Sequence, residues 1–359
     1  MPFLGCPGRR LWAIFGKRCG ESCRIGFRCP PGQGNTKEAC RIGTCDARTA
    51  AGLPEAALSK SGLYGRAAKV TCAHFSLPDR KEGTEMMVLE TVNLEMDGPV
   101  ATIYLNRPAK KNAMNPQMHR DMNQALDTIE AAGNIKAVVV TGVGDSFSAG
   151  MDLEECFLQP FDDPQLFYRT NLVALNWFKR LKAFPAVTIA KVNGFAFGGG
   201  LLVTGLCDLA VTSETALFGL SEINFGIFPA GGATWAATHN LPRKQALYYI
   251  LTGDTMTGQQ AQEYGLVNKA VPADQLDAET DRIVRKIVKK NPITLELAKQ
   301  VYERTTTMDL PTAIDYDQAK LWELSRLSGN EWVNVALKQF EKRAYQPGLS
   351  TYDRAEAKS

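Results

Sequence analysis

The chain has 359 residues, 45% of them apolar and 22% charged, the mix of a soluble globular protein long enough for about two domains. Its 41 Lys+Arg against 38 Asp+Glu leave a net charge of +3, which excludes a strongly basic nucleic-acid binder and a charge-rich disordered chain. No apolar run approaches the ~18 residues that a membrane-spanning helix needs, so neither nucleic acid nor membrane is expected as a partner.

A seam lies near Met86–Met87. Residues 1–85 carry 14 Lys+Arg and 7 Asp+Glu, whereas residues 86–359 carry 27 and 31. Seven of the nine cysteines (Cys6, Cys19, Cys23, Cys29, Cys40, Cys45, Cys72) precede the seam. Residues 1–86 show no apolar periodicity of 2 or 3.6 and read as a poorly structured basic leader. Their cysteine gaps are irregular and His74 is their one histidine, which disfavours a zinc module. No secretory apolar region precedes them, which disfavours a disulfide scaffold. Glu21, Glu38 and Asp46 disfavour a transit peptide. An extension, a targeting segment or an over-extended start is the expectation.

In the body, Pro99–Asn106 alternates as a strand that Arg107-Pro108 ends. Asn115–Gly133 carries a helical stripe of Met118, Met122, Leu126 and Ile129, closed by glycine. Ala137–Thr141 reads as a buried strand, and Phe167–Leu181 as a helix with Leu172, Leu175 and Phe178 on one face. Ala186–Val192 is a further strand. Asn193-Gly194 then turns the chain, and an apolar helix follows Gly198-Gly199-Gly200 to about Cys207. Short strands are expected at Leu209–Thr212 and Ala216–Phe218. Helices follow at Arg243–Thr252, Thr257–Tyr264, Leu276–Lys289, Ile293–Thr306, Leu310–Leu327 and Trp332–Tyr345. Strands alternate with helices, then helices fill the last third, which predicts an α/β core over 87–310 and a helical C-terminal extension over 311–359.

Three segments could carry chemistry. Gly198-Gly199-Gly200 opens a helix, where free N–H groups and the positive dipole end can hold a phosphate or polarise a carbonyl; a tight packing turn is the alternative. No dinucleotide or P-loop pattern is present. Ser148–Leu153 follows a strand, so its turn can bring the Met151 N–H beside the first. Glu222 is embedded in apolar residues, and burial of a carboxyl raises its pKa toward the range useful for acid–base work, although such a residue can also cap a turn.

In this order and spacing the three segments resemble the crotonase (enoyl-CoA hydratase/isomerase) superfamily. Leu105–Met114, Cys207–Ala210 and Ala261–Val267 extend the likeness over roughly residues 88–350. Met151-Asp-Leu153, Gly219–Asn224, Leu247–Ile250 and Gln346–Leu349 resemble the hydroxycinnamoyl-CoA hydratase/lyase subgroup. The resemblance implies a ββα spiral and an acyl-CoA thioester held between the N–H groups of Met151 and Gly199. It places CoA and acyl contacts at Arg107, Lys110, Lys111, Ala113, Ala149, Asp152, Leu153, Leu202 and Ala230. It implies no metal and no cofactor apart from the CoA of the substrate, and a homotrimer or homohexamer built through the C-terminal helices. His119 and His239 lack ligand spacing, so core or surface roles are expected. The terminal Ala-Lys-Ser is not a peroxisomal address, and a cytoplasmic location is expected.

Two departures from the family pattern stand out. Hydratases of the family hold water with two glutamates, and the first position is Leu202 here, leaving Glu222. The subgroup grips a phenol with two tyrosines, whose positions are Cys156 and Gln318 here; Phe157, Tyr168 or Tyr316 would have to compensate. The expectation is a lyase or hydratase for an α,β-unsaturated acyl-CoA. The alternatives are a one-glutamate double-bond isomerase and a non-catalytic binding protein of the same fold, such as one that binds RNA.

Overall fold

The computed structural model describes residues 84–355. Residues 1–83 of the cysteine-rich leader, with His74 and its possible zinc or disulfide roles, and the terminal Ala-Lys-Ser lie outside the described residues, whereas Glu85 and Met86, expected in the poorly structured leader, belong to the first strand because they pair with the strand that follows.

Strands β1 (Glu85–Val88), β2 (Val92–Asp97) and β3 (Val100–Leu105) form an antiparallel meander. To it are added, all parallel, β4 (Ala137–Gly142), β6 (Val187–Val192), β8 (Leu209–Ser213) and β11 (Lys269–Val271). The seven-stranded sheet therefore runs β1-β2-β3-β4-β6-β8-β11. A second sheet, ordered β10-β9-β7-β5, holds β5 (Ser146–Ser148), β7 (Phe195–Phe197), β9 (Leu217–Gly219) and β10 (Thr255–Thr257).

The chain steps from one sheet to the other and back. β4 leads to β5, β6 to β7 and β8 to β9, and helices α1 (Pro116–Ala132), α2 (Pro164–Lys182) and α3 (Gly199–Leu206) stand between the steps. This is the expected ββα spiral. Its main core joins the inner faces of β2–β4 and β6 to α1, α2 and the wholly buried α3. A short helix that is apolar all round, like α3, has to be buried.

Local sequence explains the helix ends. Asn115 caps α1 by accepting from the Met118 N–H at 2.9 Å, Pro116 fits the first turn, and Gly133 closes the helix at φ +69°. The expected stripe on α1 is buried as read. On α2 the buried face is Ala174, Trp177, Phe178 and Leu181, whereas Leu172 is exposed. Leu172 lies off the face that carries Ala174, Trp177, Phe178 and Leu181 into the core, so the expected stripe is only partly right.

The remaining helices are α4 (Ala233–Asn240), α5 (Arg243–Thr252), α6 (Gly258–Glu263), α7 (Leu276–Ile287), α8 (Pro292–Thr305), α9 (Leu310–Leu327) and α10 (Lys338–Glu341). The expected helix at Trp332–Tyr345 is instead a π-helical turn over Trp332–Leu337 followed by α10. No residue of α9 is buried, and Leu310 and Trp322 are 73% and 74% exposed. No helix among the described residues is long and apolar enough to cross a membrane.

Candidate active site

The second sheet assembles the site. β7 pairs in parallel with both β5 and β9, so the C-terminal ends of three neighbouring strands point the same way. Met151 follows β5, Gly199 follows β7 and Glu222 follows β9. Segments far apart in sequence therefore converge where parallel strands end, the usual ligand position of such sheets.

Two backbone N–H groups face the same space. Met114 and Met151 form an isolated parallel bridge, in which the Met114 N–H donates to the Gly150 carbonyl at 2.7 Å and the Asp152 N–H donates to the Met114 carbonyl at 2.9 Å. Extended backbone alternates direction, so the Met151 N–H points away from Met114. The Met151 nitrogen lies close to Gly199, whose Cβ, were there one, would be 3.6 Å from it. Neither the Met151 nor the Gly199 N–H has an acceptor among the described residues. A Cβ at Gly199 would also meet Met114 Cε, the tip of a flexible but wholly buried side chain, which would have to move aside.

Glu222 lies in a 3₁₀ turn, Ser221–Phe225, directly after β9. Its Oε2 is buried with no hydrogen-bond partner among the described residues. Burial pushes its pKa up, and its own backbone N–H offsets this only in part. A carboxyl so placed exchanges protons more readily near neutrality than an exposed one.

These groups share a cleft of about 510 Å³. Its walls are mostly apolar and include Phe157, Phe167, Phe178, Phe197 and Phe225; the polar side chains among its lining residues are Asn171, Ser221 and Glu222. Phe157 and Phe167 lie 6.0 Å apart between ring centroids. Asn171 and Phe167 lie outside every motif, Ser221 lies within the Gly219–Asn224 motif but was given no role, and the helical stripe on Phe167–Leu181 was the signal for Phe178.

Met151, Gly199, Glu222, Ala149, Leu153, Leu202 and Ala230 all line the cleft. Leu202 is 3% exposed and presents hydrocarbon where a second carboxylate was sought. Cys156 and Gln318, expected at the far end of the acyl site, do not line it. Cys156 is buried against the Met114 carbonyl at 3.4 Å, its thiol pushed up to about 12 by burial. Gln318 is exposed on α9. Of the suggested substitutes, Phe157 lines the cleft, whereas Tyr168 and Tyr316 do not.

The expected CoA-holding segment is a tight turn. Lys111 and Asn112 adopt φ of +49° and +55°, and the wholly buried Asn112 side chain donates to the Val143 and Ser146 carbonyls at 2.9 and 2.7 Å. Arg107 is committed within the chain, to Asp152 at 3.0 Å, Glu155 at 2.9 Å and the Ala113 carbonyl at 2.6 Å. Burial raises the Asp152 carboxyl, but the Glu155 N–H and Arg107 more than offset it, and its pKa is lowered. Lys110 is exposed, 3.9 Å from Glu154, and the Lys111 ammonium stands 4.2 Å over the Phe195 ring. His119 is core, its Nδ1 accepting from Trp177 Nε1–H at 3.0 Å, and His239 stacks on Trp235 at the surface.

Comparisons with known proteins point to one family. The family model for enoyl-CoA hydratase/isomerase matches residues 95–342. A hydroxycinnamoyl-CoA hydratase-lyase of Pseudomonas fluorescens is 38% identical over 268 residues, which are 74% of this chain and 97% of that protein. A short-chain-enoyl-CoA hydratase of Clostridium acetobutylicum is 33% identical over 66% of this chain and 90% of its own length. The crystal structure of an enoyl-CoA hydratase from Mycobacterium smegmatis superposes with a TM-score of 0.65 at 29% identity, covering 69% of this chain and 96% of that one.

Proposed function

Because the chain belongs to the enoyl-CoA hydratase/isomerase family and is an acyl-CoA hydratase/lyase, we propose that it hydrates an α,β-unsaturated acyl-CoA with an aryl group on the β carbon and then cleaves the product. The observation that carries this is the buried, unpartnered Glu222 Oε2 in a cleft walled by phenylalanines and shared with two free N–H groups. The thioester carbonyl sits between the Met151 and Gly199 N–H groups, each contributing about 3–4 kcal/mol once negative charge develops on oxygen. Glu222 as carboxylate takes a proton from water, the water oxygen adds to the β carbon, and the carboxyl returns the proton to the α carbon. In the cleavage step Glu222 removes the β-hydroxyl proton, the Cα–Cβ bond breaks, and an aldehyde leaves. The acetyl-CoA enolate, held by the same N–H pair, then takes up the proton.

The thioester supplies the electronic activation, so no step calls for a further cofactor. With Arg107 committed to Asp152 and Glu155, Lys110 and Lys111 are the phosphate partners of CoA in this reading. The exposed apolar residues of α9 are the surface that a homotrimer would cover.

Leu202 favours a second reading, a double-bond isomerase in which one glutamate shuttles a proton between carbons. Product analysis by mass spectrometry separates the two. Aldehyde and acetyl-CoA from cinnamoyl-CoA esters support the lyase, and a shifted alkene from a 3-enoyl-CoA without any aldehyde supports the isomerase. A 3-hydroxyacyl-CoA as the end product would limit the enzyme to hydration.

A further inference from the structure

We infer that Arg107 is a positioning residue that sets the direction of the Met151 N–H, and not a ligand for CoA phosphate. The inference rests on the acyl-CoA reading of the cleft. One guanidinium nitrogen, Nη1, donates both to the Ala113 carbonyl at 2.6 Å and to Asp152 Oδ2 at 3.0 Å. Ala113 precedes Met114 and Asp152 follows Met151, so a single nitrogen ties together the two chains that form the Met114–Met151 bridge. The other nitrogen, Nη2, donates to Glu155 Oε1 at 2.9 Å. The loop then closes on itself, because the Glu155 N–H donates to Asp152 Oδ1 at 3.1 Å. Glu155 Oε2 accepts from Asn115 Nδ2 at 2.9 Å, and Asn115 caps α1. The turn carrying Met151 is thereby fastened to β3 through Arg107 and to α1 through Asn115.

Three arguments favour this role over phosphate binding. Arg107 already faces two carboxylates, so its local charge is more than balanced. Its side chain is 15% exposed and that of Asp152 8%, so the pair is shielded from solvent and little screened. The planar fork of arginine suits holding several acceptors at fixed angles, which a lysine cannot reproduce. An oxyanion donor works only when it is aimed in advance at the developing charge. The bridge aims Met151, and Arg107 locks the bridge.

The test uses the full chain and butyryl-CoA labelled with ¹³C at the thioester carbonyl, a saturated ester that binds without hydration. In the wild type, isotope-edited infrared spectra should show the carbonyl stretch moved to lower frequency by the N–H pair. Arg107→Gln should lose most of that displacement and at least ~10²-fold in kcat, the effect of one misaimed donor, with the butyryl-CoA dissociation constant little changed. Arg107→Lys, which cannot span all three acceptors, should fall between. Asp152→Asn, which keeps the side-chain shape, should move the stretch in the same direction and keeps the test alive if Arg107→Gln does not fold. A weakened dissociation constant with kcat and the stretch unchanged would make Arg107 a phosphate anchor and overturn the inference. An unchanged stretch and kcat in both Arg107→Gln and Asp152→Asn would overturn it too. Absence of butyryl-CoA binding or of any displacement in the wild type would instead refute the acyl-CoA reading of the cleft.

Discussion

The Glu222 carboxylate stands in the space that a side chain at Gly198 would fill: a Cβ there would lie 2.7 Å from Glu222 Oε1. Gly198 also has φ +48°, a conformation that L side chains rarely adopt. Gly198→Ala should therefore displace the carboxylate and cost at least ~10²-fold in kcat, the contribution of a positioned acid–base group. Adding Glu222→Gln to Gly198→Ala should lower the rate little further, because both changes remove the same proton transfer. Full additivity of the two losses in steady-state kinetics would show that Gly198 acts elsewhere.

Glu222 should destabilise the fold at neutral pH. Burial raises its pKa in the folded chain, so folding favours the protonated form. Its contribution to stability is intact below the ordinary carboxyl pKa of about 4.3 and is lost as pH rises through the raised value. Glu222→Gln, which carries no charge to bury, should melt above the wild type at about pH 8, and the gap should close as pH falls toward about 4. Thermal unfolding across that range checks the sign. A wild type that melts higher than Glu222→Gln at alkaline pH would mean that the carboxylate is stabilised by something the structure does not pair with it.

Leu202 is 3% exposed and lines the cleft with Glu222. Leu202→Glu would bury a second carboxyl near the first, and like charges raise one of the two pKa values. Activity on the native substrate should fall or stay level. A gain on crotonyl-CoA would identify a hydratase that has lost one of its two acids, and the cleavage reading would fail.

A chain beginning at residue 84 should fold and turn over like the full chain. One beginning at Met87 removes Glu85 and Met86, which pair with Met96 and Glu95 in the β1–β2 ladder. It should keep activity but melt lower, by ~2–4 °C for each kcal/mol lost from that ladder. Loss of soluble protein with the residue-84 start would show that the leader is needed.

The alternating run before Asn106, the apolar run at Ala137 and the stripe on α1 were legible because each repeats its period over a whole element. β5 and β7 have three residues each, too few to show a period, although they position the Met151 and Gly199 amides. β1 and β2 precede Pro99 and were not read. α4 was missed because its apolar residues, Ala233, Trp235, Ala236 and Ala237, form no single stripe. Within the site, Met151, Gly199 and Glu222, read through motif order, line one cleft. The carboxylate partners of Arg107 were not legible, because they lie 45 and 48 residues away. Gln318 was placed in the acyl site by alignment, and the fold puts it exposed on α9, outside the lining of the cleft.

The central claim is that Glu222 is the proton-transfer group for a thioester held by Met151 and Gly199. Product formation from a cinnamoyl-CoA ester by Glu222→Gln, measured beside wild type with binding of the same ester, tests it most directly. The account predicts a ~10²–10⁴-fold slower release of aldehyde and acetyl-CoA at nearly unchanged affinity, since the amide keeps the shape but cannot take the proton. Wild-type turnover in Glu222→Gln would contradict it and send the search for the base to Asp152, Glu154 and Glu155.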